Sequence, residues 1–240
     1  MRGEVLAAAD NNARWCDTVC RSHGLTTSFV DDLWIAPEGS PQFYPDVLTL
    51  RPGASVADVL TRLPPNAESI KDSFACLDLA PEGFDVLFEA HWILHPASRS
   101  ASPALVWTPV DSEGELDDWT RAAGLEGIIR AELVGEPTIR IFAGRHSDHG
   151  PIVAGAIANE TGRVVGVSNV FSGQPDAKAV WRDLPRIAAM AFPRRAIVGY
   201  EHGGDLAHAI QNGFSPLQPL RIWYRETRPE SPLTLRGTKR

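Results

Sequence analysis

Cysteine is scarce in this chain of 240 residues, limited to Cys16, Cys20 and Cys76. An odd and thinly spread set excludes a disulfide-framed secreted scaffold. Cys16 and Cys20 lie four apart, on one face of a helix. No second cysteine pair accompanies them, so the spacing does not make a zinc site and the pair reads as small core residues. Long apolar runs are missing too. Nothing is long enough to span a bilayer, the N-terminus lacks the apolar stretch of a signal peptide, and the expected setting is a reduced cytoplasm with no membrane partner. Positive charge is in deficit: Lys and Arg total 23 against 30 Asp and Glu, giving a net charge of -7. Such a chain is a poor partner for phosphate backbones, which argues against nucleic-acid binding. It still permits a local anion site, because a helix N-terminus holds phosphate whatever the overall charge.

What is present is ordinary globular material, 43% hydrophobic and 22% charged. The pattern predicts a helix over Val5–His23, closed by Gly24. Strands are expected at Val30–Ala36, Val47–Arg51, Ile70–Leu77 and Phe84–Leu94. Ser55 caps a short helix that Pro64-Pro65 stops. The Ser-, Ala- and Pro-rich stretch from His95 to Pro103 reads as a linker between an N-terminal α/β half, 1–97, and a second domain, 103–226, with a polar flexible tail over 227–240. Most of the aromatics in the first half are expected in the core, while Lys71, Asp72 and Glu89 are candidates to line a cleft between the halves.

The second half is more regular. A strand at Ala104–Val110 precedes a helix from Glu113 to Ala123, with Leu116 and Trp119 inward and Asp111 or Ser112 as its cap. Thr138–Gly144 is a strand. Pro151–Asn159 and Arg163–Phe171 form a hairpin about Glu160-Thr161-Gly162. A helix over Asp176–Phe192 is interrupted by Pro185, which predicts a kink or a split first turn. The apolar strand Ala196–Tyr200, a helix opened by Gly203-Gly204-Asp205 and the strand Leu217–Arg225 complete the order. That order predicts an α/β fold with a mixed sheet in each half, the two sheets lying beside or packing against one another. There is also an internal echo, since Gly83-Phe84 and Gly213-Phe214 each lead into a long strand after a strand and a short helix.

The chemistry concentrates between Ile152 and Trp223. The helix starting near Asp176 aims free N–H groups and its positive dipole end at Ser172-Gly173-Gln174, an arrangement that suits a pyrophosphate or, equally, a simple cap by Asp176. Tyr200, Glu201 and His202 lie at the C-terminal end of an apolar strand, where ligands of open α/β sheets bind. Glu201 or His202 is a candidate base. His146, Asp148 and His149 cluster in a turn without a fourth ligand, so no metal is expected there.

These features resemble the GNAT acyl-CoA N-acyltransferase superfamily over roughly residues 104–225. The resemblance rests on the element order, on the hairpin Ile152–Ala158 with Val164–Phe171, and on the ending Asp205-Leu206-Ala207-His208-Ala209-Ile210-Gln211-Asn212-Gly213-Phe214. It implies that the strand ending at Phe171 splays from its neighbour and that Asn169, Val170 and Phe171 line the pantetheine arm of acetyl-CoA. Ser172, Gly173 and Gln174 would then lie near the pyrophosphate. It implies an N-acetyltransferase using acetyl-CoA and an amine acceptor, and the echo extends it to a partial GNAT-like unit in the first half. Two departures are visible. The family's phosphate loop carries spaced glycines, whereas Gln174 is followed here by Pro175, Asp176, Ala177 and Lys178, so that Lys178 is left to supply charge. The family's usual thiolate-protonating tyrosine is replaced by Ala209. These departures favour the alternative of a non-catalytic module that binds acyl-CoA or a protein partner. An exposed sheet edge allows a homodimer.

Overall fold

A computed structural model describes residues 2–96, 102–173 and 176–226. The chain begins with helix α1 (Arg2–Ser22) and strands β1 (Ser28–Val30), β2 (Leu33–Ile35) and β3 (Val47–Thr49). Helix α2 (Val56–Arg62), β4 (Ser69–Asp72) and β5 (Asp85–His95) follow. Then come β6 (Val106–Pro109), α3 (Glu113–Ala123), β7 (Ile139–Arg145), β8 (Ala154–Thr161) and β9 (Val164–Ser172). The last elements are α4 (Ala177–Ala191), β10 (Ala196–Glu201), α5 (Gly203–Gln211) and β11 (Ser215–Tyr224).

All eleven strands join one mixed sheet, ordered β1-β2-β3-β4-β11-β5-β10-β9-β8-β7-β6. The sheet does not divide at the expected linker, part of which, 97–101, lies outside the described residues. Strand β5, from the first half, runs antiparallel between β10 and β11 of the second half. Strand β11 in turn lies between β4 and β5. The echo seen in sequence falls on this exchange. Gly83 and Gly213 both take left-handed backbone (φ 79° and 94°), and each leads through a buried phenylalanine into one member of the β5–β11 pair.

Local chemistry explains where elements stop. The expected strand Val30–Ala36 is instead the hairpin β1–β2, because Asp31 turns the chain at φ 51°, a conformation that Asp tolerates. The expected strand Ile70–Leu77 ends at Asp72, whose buried carboxylate accepts the Phe74 and Leu77 N–H groups and folds the chain back. Helix α3 has the predicted bounds, with the Ser112 hydroxyl accepting from Glu115 N–H. Helix α4 continues through Pro185, losing one internal hydrogen bond. Its apolar face, including Val180, Trp181, Leu184 and Ile187, is buried against the sheet and holds the helix together across that gap.

Helices α4 and α5 cover one face of β8–β10, while α1 and α3 cover the other. Two glycines permit this close packing. A Cβ at Gly155 would lie 2.3 Å from the Phe171 ring and 2.4 Å from Trp119 Nε1. A Cβ at Gly166 would lie 1.8 Å from Asn11 Oδ1, where α1 crosses β9. Asn11 ties the crossing by donating to the Asn159 carbonyl and the Thr161 hydroxyl. Cys16 and Cys20 are buried in α1, and burial pushes their thiols up to about 12 and about 11, which leaves them protonated and unreactive.

Candidate active site

The site begins where two parallel strands part. Strands β9 and β10 pair at Ala196↔Val164, Ile197↔Val165 and Val198↔Gly166, and at no later position. Beyond that point β9 runs on to Ser172 and β10 to Glu201. The parting coincides with a bulge. The β8–β9 register shifts between Gly155↔Phe171 and Ile157↔Ser168, which leaves Asn169 and Val170 opposite the single residue Ala156. Asn169 has φ 50°, left-handed backbone that Asn accepts more readily than most residues, and its side-chain oxygen accepts from the Tyr44 hydroxyl at 3.3 Å. Bulges of this kind bend a strand and re-aim its side chains.

The gap opens into a cleft of about 730 Å³ on the α1 side of the sheet. Its floor carries Ser168, Asn169 and Val170 of β9, Tyr200 of β10 and Lys71 of β4, while Glu201 lines it from the end of β10, near Asp205 of α5. Asn12 and Trp15 of α1 and the loop 40–46 roof it. This size lies within the usual range for small-molecule sites.

Three groups give the cleft its chemistry. The carboxyl of Glu201 is pushed up to about 8, first by burial and then by the nearby Asp205 carboxylate, against the opposing pull of the His202 backbone N–H. A carboxyl so placed exchanges its proton near neutral pH. Lys71 is 3% exposed, donates to Asn12 Oδ1 at 2.8 Å, and sits 4.2 Å from the centroid of the Tyr200 ring. The Ser168 hydroxyl is buried with no hydrogen-bond partner among the described residues. A buried hydroxyl in that condition costs about 1–3 kcal/mol, which a ligand could recover.

The structure separates the residues singled out in sequence into two groups. Asn169, Val170, Glu201 and His202 line the cleft together, with the His202 ring stacked 4.8 Å from Phe88. Phe171 turns away and packs edge-on against Trp119, with ring centroids 5.2 Å apart. Ser172 pairs with Ala154, and the Gly173 N–H is taken by the Val153 carbonyl at 3.0 Å. Gln174 lies outside the described residues. Lys178 is exposed on the first turn of α4 and does not line the cleft. Asp176, just before that turn, places its carboxylate 3.3 Å from His146 Nε2. Of the three polar residues expected between the halves, Lys71 lines the cleft, Asp72 is consumed in its turn, and Glu89 pairs with Arg221 at 2.6 Å. Tyr44 and Ser168 carried no sequence signal for the site. The first reads as one more core aromatic, and the second sits in an apolar strand.

Comparison with known proteins gives a fold. No family model matches the chain, and no curated protein matches it either. Solved structures do. A GCN5-related N-acetyltransferase from Kribbella flavida superposes with a TM-score of 0.59 at 12% identity, over 90% of this chain and 96% of that one. A GCN5-related N-acetyltransferase-like protein from Streptococcus suis gives 0.55 at 14% identity, over 94% and 100%. A GCN5-related N-acetyltransferase from Sphaerobacter thermophilus gives 0.51 at 14% identity, over 95% and 94%. The chain therefore has the GNAT fold across nearly its whole described length.

Proposed function

We propose that this protein is an acyl-CoA-dependent N-acyltransferase that transfers an acetyl group to an amine of a small molecule or protein. The observation that carries the reading is the parting of β9 and β10 directly over a cleft that holds Glu201. In this reading the free backbone edge of β9 near Asn169, Val170 and Phe171 binds the pantetheine arm of acetyl-CoA. Ser172, Gly173 and Lys178 serve its pyrophosphate, a role that the resemblance also gives to Gln174. The amine nitrogen attacks the thioester carbonyl carbon, the carbon–sulfur bond breaks, and Glu201 takes the proton released from nitrogen. His202 is the second candidate acceptor. A base with a pKa near the working pH is well matched to this step, and most of the remaining acceleration comes from holding the two reactants together. The exchange of β5 and β11 supports reading residues 1–97 as a partial unit of the same fold.

A second reading, a module that binds acyl-CoA or a protein partner without catalysis, has its own support. The Gly173 N–H is already used, the Asp176 carboxylate stands at the N-terminus of α4, and Ala209 is buried where a protonating tyrosine would be. Titration calorimetry with acetyl-CoA, followed by an assay for amine-dependent thiol release, separates the two. Binding with turnover is expected. Binding without turnover over a broad amine panel selects the module, and the absence of binding removes both.

A further inference from the structure

Lys71 is the most deeply buried charged side chain lining the cleft among the described residues. It lies on β4, a strand of the first half, with its side chain on the same face as Tyr200 and Ile222. Among the described residues its polar contacts are one amide oxygen and one aromatic face, and no carboxylate is paired with it. A buried ammonium that keeps only these partners retains unused donors and a large desolvation cost, both of which an arriving anion relieves.

The acidic groups that share the cleft do not take that role. The two oxygens of Asp46 are occupied by N–H groups of Ser40, Glu68 and Ser69. Glu201 holds its proton up to about pH 8. Glu68 also lines the cleft and has an interaction of its own. On the donor side, Ser168 adds a buried hydroxyl with no partner among the described residues. Among the described residues Lys71 and His202 are the only basic side chains in the lining, with no arginine. One enclosed ammonium balances one negative charge; a phosphate dianion asks for more. Two exposed apolar side chains belong to the lining, Phe43 at 68% with a strained φ of 73° and Leu87 at 59%.

We propose that Lys71, supported by Asn12, binds the carboxylate of the acceptor, so that the amine acylated belongs to a small amino acid with an apolar body. This rests on the acyltransferase reading for the fate of the amine, but not for the binding of the acid. Lys71 positions the acceptor from the α1 side, while Glu201 waits at the gap between β9 and β10, where the amine meets the thioester.

The test is calorimetry on the full chain without acetyl-CoA, using matched probes: phenylalanine, 3-phenylpropionate and phenethylamine, then leucine and isopentylamine. The acids should bind at least about ten-fold tighter than the amines that lack a carboxylate, the gain of one well-placed charged hydrogen bond. Lys71→Met should abolish that difference and leave phenethylamine binding unchanged, with circular dichroism checking the fold. Should Lys71→Met not fold, the acid–amine comparison on the unaltered protein still decides. Equal binding of acids and amines overturns the proposal, as does no binding of any probe. Inorganic phosphate displacing the acids at equal concentration would mark a phosphate site and also overturn it. So would a Lys71→Met protein that binds the acids normally but loses turnover with every amine, which would place Lys71 at the reacting groups instead. Because the acids are titrated without acetyl-CoA, acid binding without turnover refutes the acyltransferase reading while leaving the carboxylate subsite intact.

Discussion

Replacing Glu201 by glutamine should make the protein more stable, and by an amount that depends on pH. The Glu201 carboxyl, ordinarily at 4.5, is pushed up to about 8 in the folded chain by burial and by Asp205. In the unfolded chain it ionises near its ordinary value. Between the two values the folded protein holds a proton that the unfolded chain releases, so stability falls as pH rises through this window and levels off above about 8. At about 1.4 kcal/mol per unit the full shift corresponds to on the order of 5 kcal/mol, and solvent reaching the half-buried side chain reduces this to roughly 2–3 kcal/mol. Glutamine keeps the shape and cannot ionise. With roughly 2–4 °C of melting temperature per kcal/mol in a chain of this size, Glu201→Gln should melt about 5–10 °C above the unaltered protein at about pH 8.5. At about pH 5 the two should melt within a few degrees of each other, because little of the penalty has accrued. Thermal melts followed by circular dichroism across this range measure the difference directly, since all other titrating groups cancel between the two proteins. Parallel curves, or a variant less stable at alkaline pH, would refute the claim that the site strains this carboxylate.

The same group predicts the pH profile of turnover, which should rise with pH and level above about 8 as Glu201 ionises. Glu201→Gln should lower the rate about a hundred- to ten-thousand-fold while leaving acetyl-CoA affinity nearly unchanged, and full activity in both Glu201→Gln and His202→Ala would rule out either as the base. Asn169→Pro should instead weaken acetyl-CoA binding in calorimetry, because proline cannot adopt the φ of 50° found there. Gly155→Ala should cost about 3 kcal/mol in urea unfolding, since the new methyl meets two packed rings that cannot withdraw. Asp183→Ala should cost about 3 kcal/mol or more by the same measure, because it strips a buried acceptor from Ala104 N–H, Leu105 N–H and Trp107 Nε1.

Much of the local structure was legible in sequence because its causes are local. Helix α3 starts at a serine cap and ends at a glycine in left-handed backbone, two signals that need no tertiary context. The β8–β9 hairpin turns at Gly162, whose φ of 57° is the reason glycine stands there. Glu201 and His202 were legible as the end of an apolar strand, and the GNAT fold as an order of elements. Less legible was any feature set by register or by an acceptor far away in sequence. That Phe171 would pack on Trp119 rather than line the cleft depends on the two-residue bulge at Asn169 and Val170, which reverses the side-chain alternation of a plain strand.

Periodicity, caps and turn residues thus determined which segments became helices and strands, since those signals act within a few residues of the backbone they shape. Only the tertiary structure decided that β5 would cross into the sheet of the second half, and with it that Lys71 of the first half would lie 4.2 Å from the Tyr200 ring of the second. Strand pairing of that kind is chosen by the burial of whole faces over more than a hundred residues of sequence separation, an energy to which no single segment holds the key.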